Sequence, residues 1–243
     1  RKALRLIFCA VLDGFVRVRG CSIVPRPNNA VAAMDQPPFD QRLARILVRP
    51  LARTKLTPNQ MTTITVVLAF LGAALIGAGS APAIHWGAGL FALARFLDHF
   101  DGELARQTGR TSRFGYFYDY VAGASSYAAL FIGLGVAFRG GWIGQWSIAL
   151  GAVGAASAFL SMALNLDIDK REGQGTANYP GFAGFELEDG IYLIAPIVWL
   201  GGMEPLFIGA GIGAGLYGLW TAANWSRSRL LARMPARHID PDA

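Results

Sequence analysis

Six long apolar segments constrain the fold of this chain more than any other feature. A helix needs about 20 predominantly apolar residues to cross a bilayer, and an open sheet cannot satisfy its backbone hydrogen bonds in lipid. The segments lie at about 61–79, 83–100, 117–138, 142–166, 191–202 and 206–225, and the fifth is short unless it begins near Glu186. The sequence therefore predicts an all-α membrane protein with six transmembrane helices.

Composition supports this class and argues against a soluble globule. The chain of 243 residues is 53% hydrophobic and 16% charged, whereas a soluble domain carries roughly 25% charged residues. Its 30 glycines suit closely packed membrane helices. The net charge of +6 comes from basic residues scattered along the membrane flanks, which favours contact with anionic lipid over binding of nucleic acid.

The placement of basic residues predicts the orientation in the membrane. Connections on the cytoplasmic side of a membrane protein carry an excess of lysine and arginine. Here the alternate connections and the two flanks of the bundle are basic, and the remaining connections hold only His85, Arg139 and Glu204. The basic residues are Arg42, Arg45, Arg49, Arg53, Lys55, Arg106, Arg110, Arg113, Lys170, Arg171, Arg227, Arg229, Arg233 and Arg237. We therefore expect a multi-pass protein of the inner or plasma membrane with both termini in the cytoplasm.

The segment before the first span reads as an amphipathic helix. Leu43, Ile46 and Leu47 share one face and arginines occupy the others, which is typical of a helix lying on the cytoplasmic leaflet. Thr57 and Pro58 then predict the N-cap and first residue of the first span. We divide the chain into a cytoplasmic extension at 1–38, a transmembrane domain with its juxtamembrane helix at 39–226, and a basic cytoplasmic tail at 227–243.

Three aspartates stand out at the ends of the second and third apolar segments. Asp98 and Asp101 are three residues apart and share a helix face, and Asp119 follows after a turn containing glycine. Ionisable residues in such positions are costly and usually functional. Oxygen ligands of this kind suit Mg²⁺ or Mn²⁺, which commonly also bind substrate phosphates. The alternative is a purely structural role, in which the aspartates only form ion pairs with Arg106, Arg110 or Arg113 at the lipid interface.

Small and basic residues surround these aspartates. The small side chains of Gly102, Ala105 and Gly115 would leave room for a bulky ligand. Arg106 could bind a phosphate through two hydrogen bonds, and Arg110 and Arg113 could assist from the connecting loop. The pattern predicts a cytoplasmic site for a phosphate-bearing substrate.

The motif formed by Asp98, Asp101, Gly102, Ala105, Arg106, Gly115 and Asp119 resembles the signature of the CDP-alcohol phosphotransferase family. The resemblance covers about residues 39–226. It implies a six-helix bundle, usually dimeric, with a polar cavity facing the cytoplasm and two divalent metal ions. It further implies transfer of a substituted phosphoryl group from a CDP-linked donor, such as CDP-diacylglycerol, to an alcohol, with release of CMP. Asp98, Asp101 and Asp119 would bind metal, and Asp101 and Asp119 would act in catalysis.

The chain departs from this signature at Gly123, where the family has a last aspartate that is regarded as general base and metal ligand. Loss of a general base costs typically 10²–10⁴-fold in rate. Three explanations are open. The chain is an inactive variant, or another carboxylate replaces the missing base, or the acceptor hydroxyl is acidic enough to react without a general base. Carboxylates on the same side of the membrane are Asp167, Asp169, Glu186, Glu188 and Asp189.

Three functions fit these observations unequally. The first is a membrane transferase of phospholipid biosynthesis, and the second is a catalytically silent relative that binds nucleotide or lipid or assembles partners. A small transporter is the weakest, because the polar residues cluster at one face instead of near the middle of the membrane. The sequence favours the transferase and leaves its acceptor alcohol open.

Overall fold

The computed structural model describes residues 39–172 and 191–231, and in these residues the regular structure is entirely helical. The predicted extension at 1–38 and the residues from 232 onward lie outside this part. The helices are α1 (Phe39–Leu51), α2 (Pro58–Gly77), α3 (Ala81–Thr108), α4 (Arg113–Ala137), α5 (Trp146–Glu172), α6 (Ile194–Trp199) and α7 (Met203–Leu231). The prediction of an all-α protein is therefore confirmed for the described residues.

Four of these helices are long and apolar enough to cross a membrane: α2, α4, α5 and α7. The predicted second span falls on α3, which is 28 residues long and carries Arg95, Asp98 and Asp101 within its length. The predicted fifth span falls on one turn of 3₁₀ helix at 191–193 followed by α6, a helix of 6 residues. Length and composition thus establish four candidate spans, and the count of six stays a prediction.

Local capping explains where α2, α3 and α4 begin or end. Thr57 is the N-cap of α2, its hydroxyl accepts the Gln60 N–H, and the Gln60 side chain accepts the Thr57 N–H. This is a capping box, and the predicted cap at Thr57 is confirmed. Gly109 ends α3 with φ of 66°, a conformation that glycine adopts without strain. Ser112 caps α4 by accepting the Gly115 N–H at 2.9 Å, so only a short connection separates α3 from α4.

Small residues allow the helices to approach closely. A Cβ placed on Gly87 of α3 would lie 2.6 Å from the Gly72 carbonyl oxygen of α2, so the two backbones are in direct contact there. On the other side of α2, the backbone of Ala73 packs against Gly133 of α4. Such contacts are typical of membrane helices, where small residues replace large ones at the interface. Helix α2 is consequently held between α3 and α4.

A second apolar cluster attaches α1 to the end of α3. Ala44 and Val48 of α1 are buried together with Met61, Phe100 and Leu104. Ile46 and Leu47, predicted to contact lipid, are exposed on the outer side of α1. The helix therefore has an inner face that packs on the protein and an outer apolar face. This arrangement fixes the end of α3 that carries the aspartates.

Candidate metal centre

The structure brings the three predicted aspartates together. One carboxylate oxygen from each of Asp98, Asp101 and Asp119 lies within 4.8 Å of the other two. Asp98 and Asp101 share a face of α3, and Asp119 comes from the first turns of α4 after the short connection. The donor set consists of carboxylate oxygens, which hard divalent cations such as Mg²⁺ and Mn²⁺ prefer. These residues are therefore suited to hold such a cation.

Asp101 is the most enclosed of the three. It is only 5% exposed, its Oδ2 accepts the Thr62 hydroxyl proton from α2, and its Oδ1 accepts the Gly102 N–H. A buried carboxylate needs such donors because desolvation is otherwise costly. Thr62, a polar residue inside an apolar segment, therefore orients a candidate metal ligand from a neighbouring helix.

Asp98 forms a largely buried ion pair with Arg95. The guanidinium Nη2 lies 2.9 Å from Oδ2 of Asp98, and the two side chains are 9% and 15% exposed. The Arg95 guanidinium also lies over the Tyr127 ring of α4, 4.8 Å from its centroid. Arg95 thus places a positive charge in contact with one carboxylate of the cluster and links α3 to α4.

Glu103 organises the outer end of α3. It pairs with Arg106 at 2.9 Å and with Arg45 of α1 at 3.5 Å, and it accepts a hydrogen bond from Gln107 at 2.9 Å. Burial raises the pKa of Glu103, but the hydrogen bonds from Gln107 and Arg106 and the two guanidinium charges outweigh it, so the pKa lies below its usual range. The carboxylate is therefore a stable anchor for Arg106.

The predicted phosphate-binding residues occupy different surroundings. Arg106 is 60% exposed and held by Glu103, and its guanidinium is the nearest group to a Cβ placed on Gly102, at 3.6 Å. The space beside Gly115 is taken by Ser112 and Asn59, whose oxygens would lie 3.0 and 3.1 Å from an added Cβ. Ala105 lies on α3 and is half-buried, and Arg110 and Arg113 are exposed at the α3–α4 connection.

Gly123 lies one helical turn beyond Asp119 and faces open space. Nothing lies within 4 Å of a Cβ placed there, so a larger side chain would fit. Of the carboxylates considered in its place, Asp167 is engaged by Trp225 and Arg171. Asp169 instead accepts hydrogen bonds from Tyr116 and Tyr120 of α4. Glu186, Glu188 and Asp189 lie outside the described residues.

Sequence reasoning did not identify Arg95, Thr62 or Glu103 as parts of this centre. A signal existed for Arg95, because a basic residue inside an apolar segment is costly unless it is paired. Thr62 and Glu103 had no comparable signal, since hydroxyls are common in membrane helices and acids are common at helix ends. Their roles depend on contacts with other helices.

A family model described as CDP-alcohol phosphatidyltransferase matches residues 55–214. Two solved structures of phosphatidylinositol phosphate synthase from Mycobacterium tuberculosis resemble the fold, each at 20% identity. The one with CDP-DAG bound has a TM-score of 0.56 and covers 83% of this chain and 99% of its own. The one with manganese and citrate has a TM-score of 0.52 and covers 73% and 88%. No curated protein sequence matches this chain significantly.

Proposed function

We propose, since the chain belongs to the CDP-alcohol phosphatidyltransferase family, that it transfers a phosphatidyl group from CDP-diacylglycerol to an alcohol and releases CMP. The observation that carries this proposal is the assembly of Asp98, Asp101 and Asp119 within 4.8 Å, inside the matched residues. A structure of similar fold has been solved with CDP-DAG bound, which supports this class of donor. The reaction would serve phospholipid biosynthesis.

We also propose that the reaction depends on Mg²⁺ or Mn²⁺, with two ions bound at Asp98, Asp101 and Asp119. The carboxylate donor set fits such ions, and a structure of similar fold contains manganese. Bound there, divalent ions would neutralise the diphosphate of the donor and the leaving phosphate.

Each neighbouring residue has a distinct task in this proposal. Asp101 and Asp119 would hold the cations that bind the reacting phosphate, and the Thr62 hydroxyl holds Asp101 in place. Gly102 and Ala105 admit the donor along α3, and Gly115 lets α4 begin close to Asn59. Arg106, oriented by Glu103, binds a donor phosphate together with Arg110 or Arg113. Binding energy of this kind supports catalysis by holding donor and acceptor in line.

A second candidate function is a catalytically silent relative that binds nucleotide or lipid or assembles partners. Gly123 favours it, because the side chain that the family uses there is missing and the space is open. The two functions share the donor site and differ in turnover. Release of CMP from CDP-diacylglycerol in the presence of an alcohol therefore separates them.

Binding of the donor is the first test. In purified protein, we expect Mn²⁺-dependent binding of CMP or CDP-diacylglycerol that is lost in Asp101→Ala. Asp167→Ala is the matched control, because it removes a carboxylate that is engaged by Trp225 and Arg171 away from the cluster. Absence of any metal-dependent nucleotide binding in the unmodified chain would sink the transferase function and would leave, of the second candidate, only binding of lipid or assembly of partners.

The arrangement in the membrane completes the proposal. We propose six spans, with α3 and the segment containing α6 joining the four candidate spans, and with both termini and the metal centre facing the cytoplasm. We further propose a homodimer, for which the exposed apolar residues of α7, such as Leu216 and Leu219, offer a contact surface. The transmembrane domain would occupy 39–226, flanked by the cytoplasmic extension at 1–38 and the tail at 227–243.

A further inference from the structure

The helices that carry the three aspartates are not packed directly on each other. Asp98 and Asp101 lie on α3 and Asp119 lies on α4. In the described residues the backbones of α3 and α4 make no direct contact, and both helices pack on α2 instead. The carboxylate oxygens nevertheless lie within 4.8 Å of one another. The position of Asp119 therefore depends on the contacts that hold the first turns of α4.

Helix α5 holds these first turns through a buried carboxylate. Asp169 is 5% exposed, and its Oδ2 accepts the hydroxyl protons of Tyr116 at 2.6 Å and Tyr120 at 2.9 Å. The two rings lie 4.9 Å apart between centroids. Hydrogen bonds to a carboxylate are among the stronger ones in proteins, and removing one partner of a buried hydrogen bond is costly. The contact therefore ties two successive turns of α4 to α5.

The helical register connects this contact to Asp119. Tyr116 and Tyr120 are four residues apart and so share one side of α4. Asp119 lies between them in sequence and is turned by about 100° around the helix from Tyr120. The carboxylate of Asp119 can therefore reach the aspartates of α3 while the two tyrosines reach α5. A rotation or shift of this part of α4 would move Asp119 away from the other two aspartates.

Two other contacts of α4 are less suited to fix the position of Asp119. The Thr63 hydroxyl of α2 lies 3.0 Å from the Tyr118 hydroxyl, but this contact is exposed, so water competes for both groups. The close approach of the α2 and α4 backbones occurs at Ala73 and Gly133, which is about four helical turns along α4 from Asp119. The buried contact with α5 is nearer to Asp119 than the second and better shielded than the first.

We propose that Asp169 is a positioning residue, which holds Asp119 opposite Asp98 and Asp101 through the hydroxyls of Tyr116 and Tyr120. This inference rests on the divalent-metal site of the proposed function. Groups that orient metal ligands are part of a metal site, and their removal typically changes metal affinity by about 10–100-fold. Helix α5 thus contributes to the metal centre without supplying a ligand.

Removal of the two hydroxyls tests the proposal. The double substitution Tyr116→Phe/Tyr120→Phe keeps both rings and removes only the groups that bind Asp169. We expect the Kd for Mn²⁺, measured by electron paramagnetic resonance titration of the purified protein, to rise by about 10-fold or more. An unchanged Kd overturns the inference. Loss of folded protein lowers the amount of Mn²⁺ bound at saturation but not the Kd, so instability alone does not imitate this result.

The single substitutions keep the proposal testable if the double variant does not fold. Tyr116→Phe and Tyr120→Phe each leave one hydroxyl on the carboxylate, so each should raise the Kd for Mn²⁺ by less than the double substitution. If both single variants bind Mn²⁺ with the Kd of the unmodified chain and the double variant does not fold, the tyrosines serve folding only and the inference is wrong.

Ser147→Ala is the matched control. The Ser147 hydroxyl of α5 also donates a hydrogen bond to α4, to the Gly135 carbonyl at 2.8 Å, and the side chain is fully buried. This contact lies at the opposite end of both helices from Asp119. Ser147→Ala should lower Tm and leave the Kd for Mn²⁺ unchanged. A rise in Kd equal to that of the tyrosine variant would show that any loosening of α4 against α5 disturbs the centre, and would overturn the specific role of Asp169.

A mutant cycle shows whether the tyrosines act through Asp169. In Asp169→Leu the hydroxyls have no carboxylate to bind at this position, so adding Tyr116→Phe and Tyr120→Phe should raise the Kd for Mn²⁺ no further, because changes to one shared interaction are not additive. A further rise as large as that seen with Asp169 present overturns the assignment.

The same titration separates this inference from the proposed function. Binding of Mn²⁺ by the unmodified chain that is lost in Asp101→Ala supports the metal centre itself. If the unmodified chain binds no Mn²⁺, the proposed metal dependence fails and the inference fails with it. If the unmodified chain and the double tyrosine variant bind Mn²⁺ equally well, the inference alone is wrong and the metal centre stands.

Discussion

The ion pair between Arg95 and Asp98 sets the electrostatics of the centre at the level of single residues. It places one positive charge beside three carboxylates, in a part of α3 where both side chains are largely buried. Removing one partner of a buried pair leaves an uncompensated charge, which typically costs more than the intact pair contributes. Arg95 and a bound cation would therefore both offset the negative charge of Asp98.

Substituting the arginine should make stability depend on metal. Arg95→Met is expected to lower the free energy of unfolding by about 3 kcal/mol without divalent cations, because Asp98 loses its partner. Mn²⁺ should restore part of the loss, so the metal-induced rise in Tm should exceed that of the unmodified chain. Thermal unfolding in detergent, with and without Mn²⁺, measures both. Arg139→Met, at an exposed site, should show no such gain, and an equal metal response in Arg95→Met would contradict this account.

The hydroxyl of Thr62 should tune metal affinity. Groups that orient metal ligands typically change affinity by 10–100-fold when removed, and Thr62 donates to a buried oxygen of Asp101. We expect Thr62→Val to weaken Mn²⁺ binding by about 10-fold, as measured by electron paramagnetic resonance titration. Thr63→Val is the control, because Thr63 bonds Tyr118 and the Asn59 carbonyl instead. Equal affinities for the two variants would show that Thr62 has no special role.

At the level of helices, the separation of α2 and α3 depends on glycine. A side chain at position 87 would collide with the backbone oxygen of Gly72. This close approach also determines how near Thr62 of α2 comes to Asp101 of α3. Packing along the helices and geometry at the metal centre are therefore coupled.

A methyl group at this contact should disturb both. Gly87→Ala is expected to lower the free energy of unfolding by about 1–3 kcal/mol through overpacking, and to weaken Mn²⁺ binding as the helices separate. Gly89→Ala, two residues along α3, adds a Cβ with nothing within 4 Å and should be neutral or slightly stabilising. Thermal unfolding and Mn²⁺ titration of the pair check the coupling. If Gly87→Ala lost stability with unchanged Mn²⁺ affinity, the two features would be independent.

For the whole molecule, the charges of the connections indicate which side of the membrane holds the candidate metal centre. The basic connection between α3 and α4 lies beside the aspartates, whereas the connection between α4 and α5 holds Arg139 as its basic residue. The positive-inside rule therefore predicts that the centre lies on the cytoplasmic side. The donor would accordingly be drawn from the cytoplasmic leaflet.

Cysteine labelling tests this orientation. With Cys9 and Cys21 replaced by serine, Thr111→Cys reports the α3–α4 connection and Gly140→Cys the opposite one; both positions are exposed. In intact cells, a maleimide that does not cross membranes should label Gly140→Cys alone, and both after lysis. Labelling of Thr111→Cys in intact cells would reverse the proposed orientation.

Much of the fold was predictable from local properties of the sequence. The apolar segments, the cap at Thr57 and the spacing of Asp98 and Asp101 depend on residues within a few positions of one another. Most of the helices and the first two candidate metal ligands could therefore be derived directly. The short glycine-containing connection then brings Asp119 to the same end. The fifth apolar segment was less informative, because a short segment does not determine whether it crosses or only enters a membrane.

Tertiary structure decided the partners of these residues. Thr62 meets Asp101 from another helix, Arg45 meets Glu103 across α1 and α3, and Asp169 meets Tyr116 and Tyr120 from a position about fifty residues later in the chain. Local periodicity indicates which face of a helix is buried but not which helix covers it. By itself the sequence thus determined the helices and the aspartate cluster. The surroundings of the aspartate cluster depend on helix packing, because small residues set how closely and in which register the helices approach.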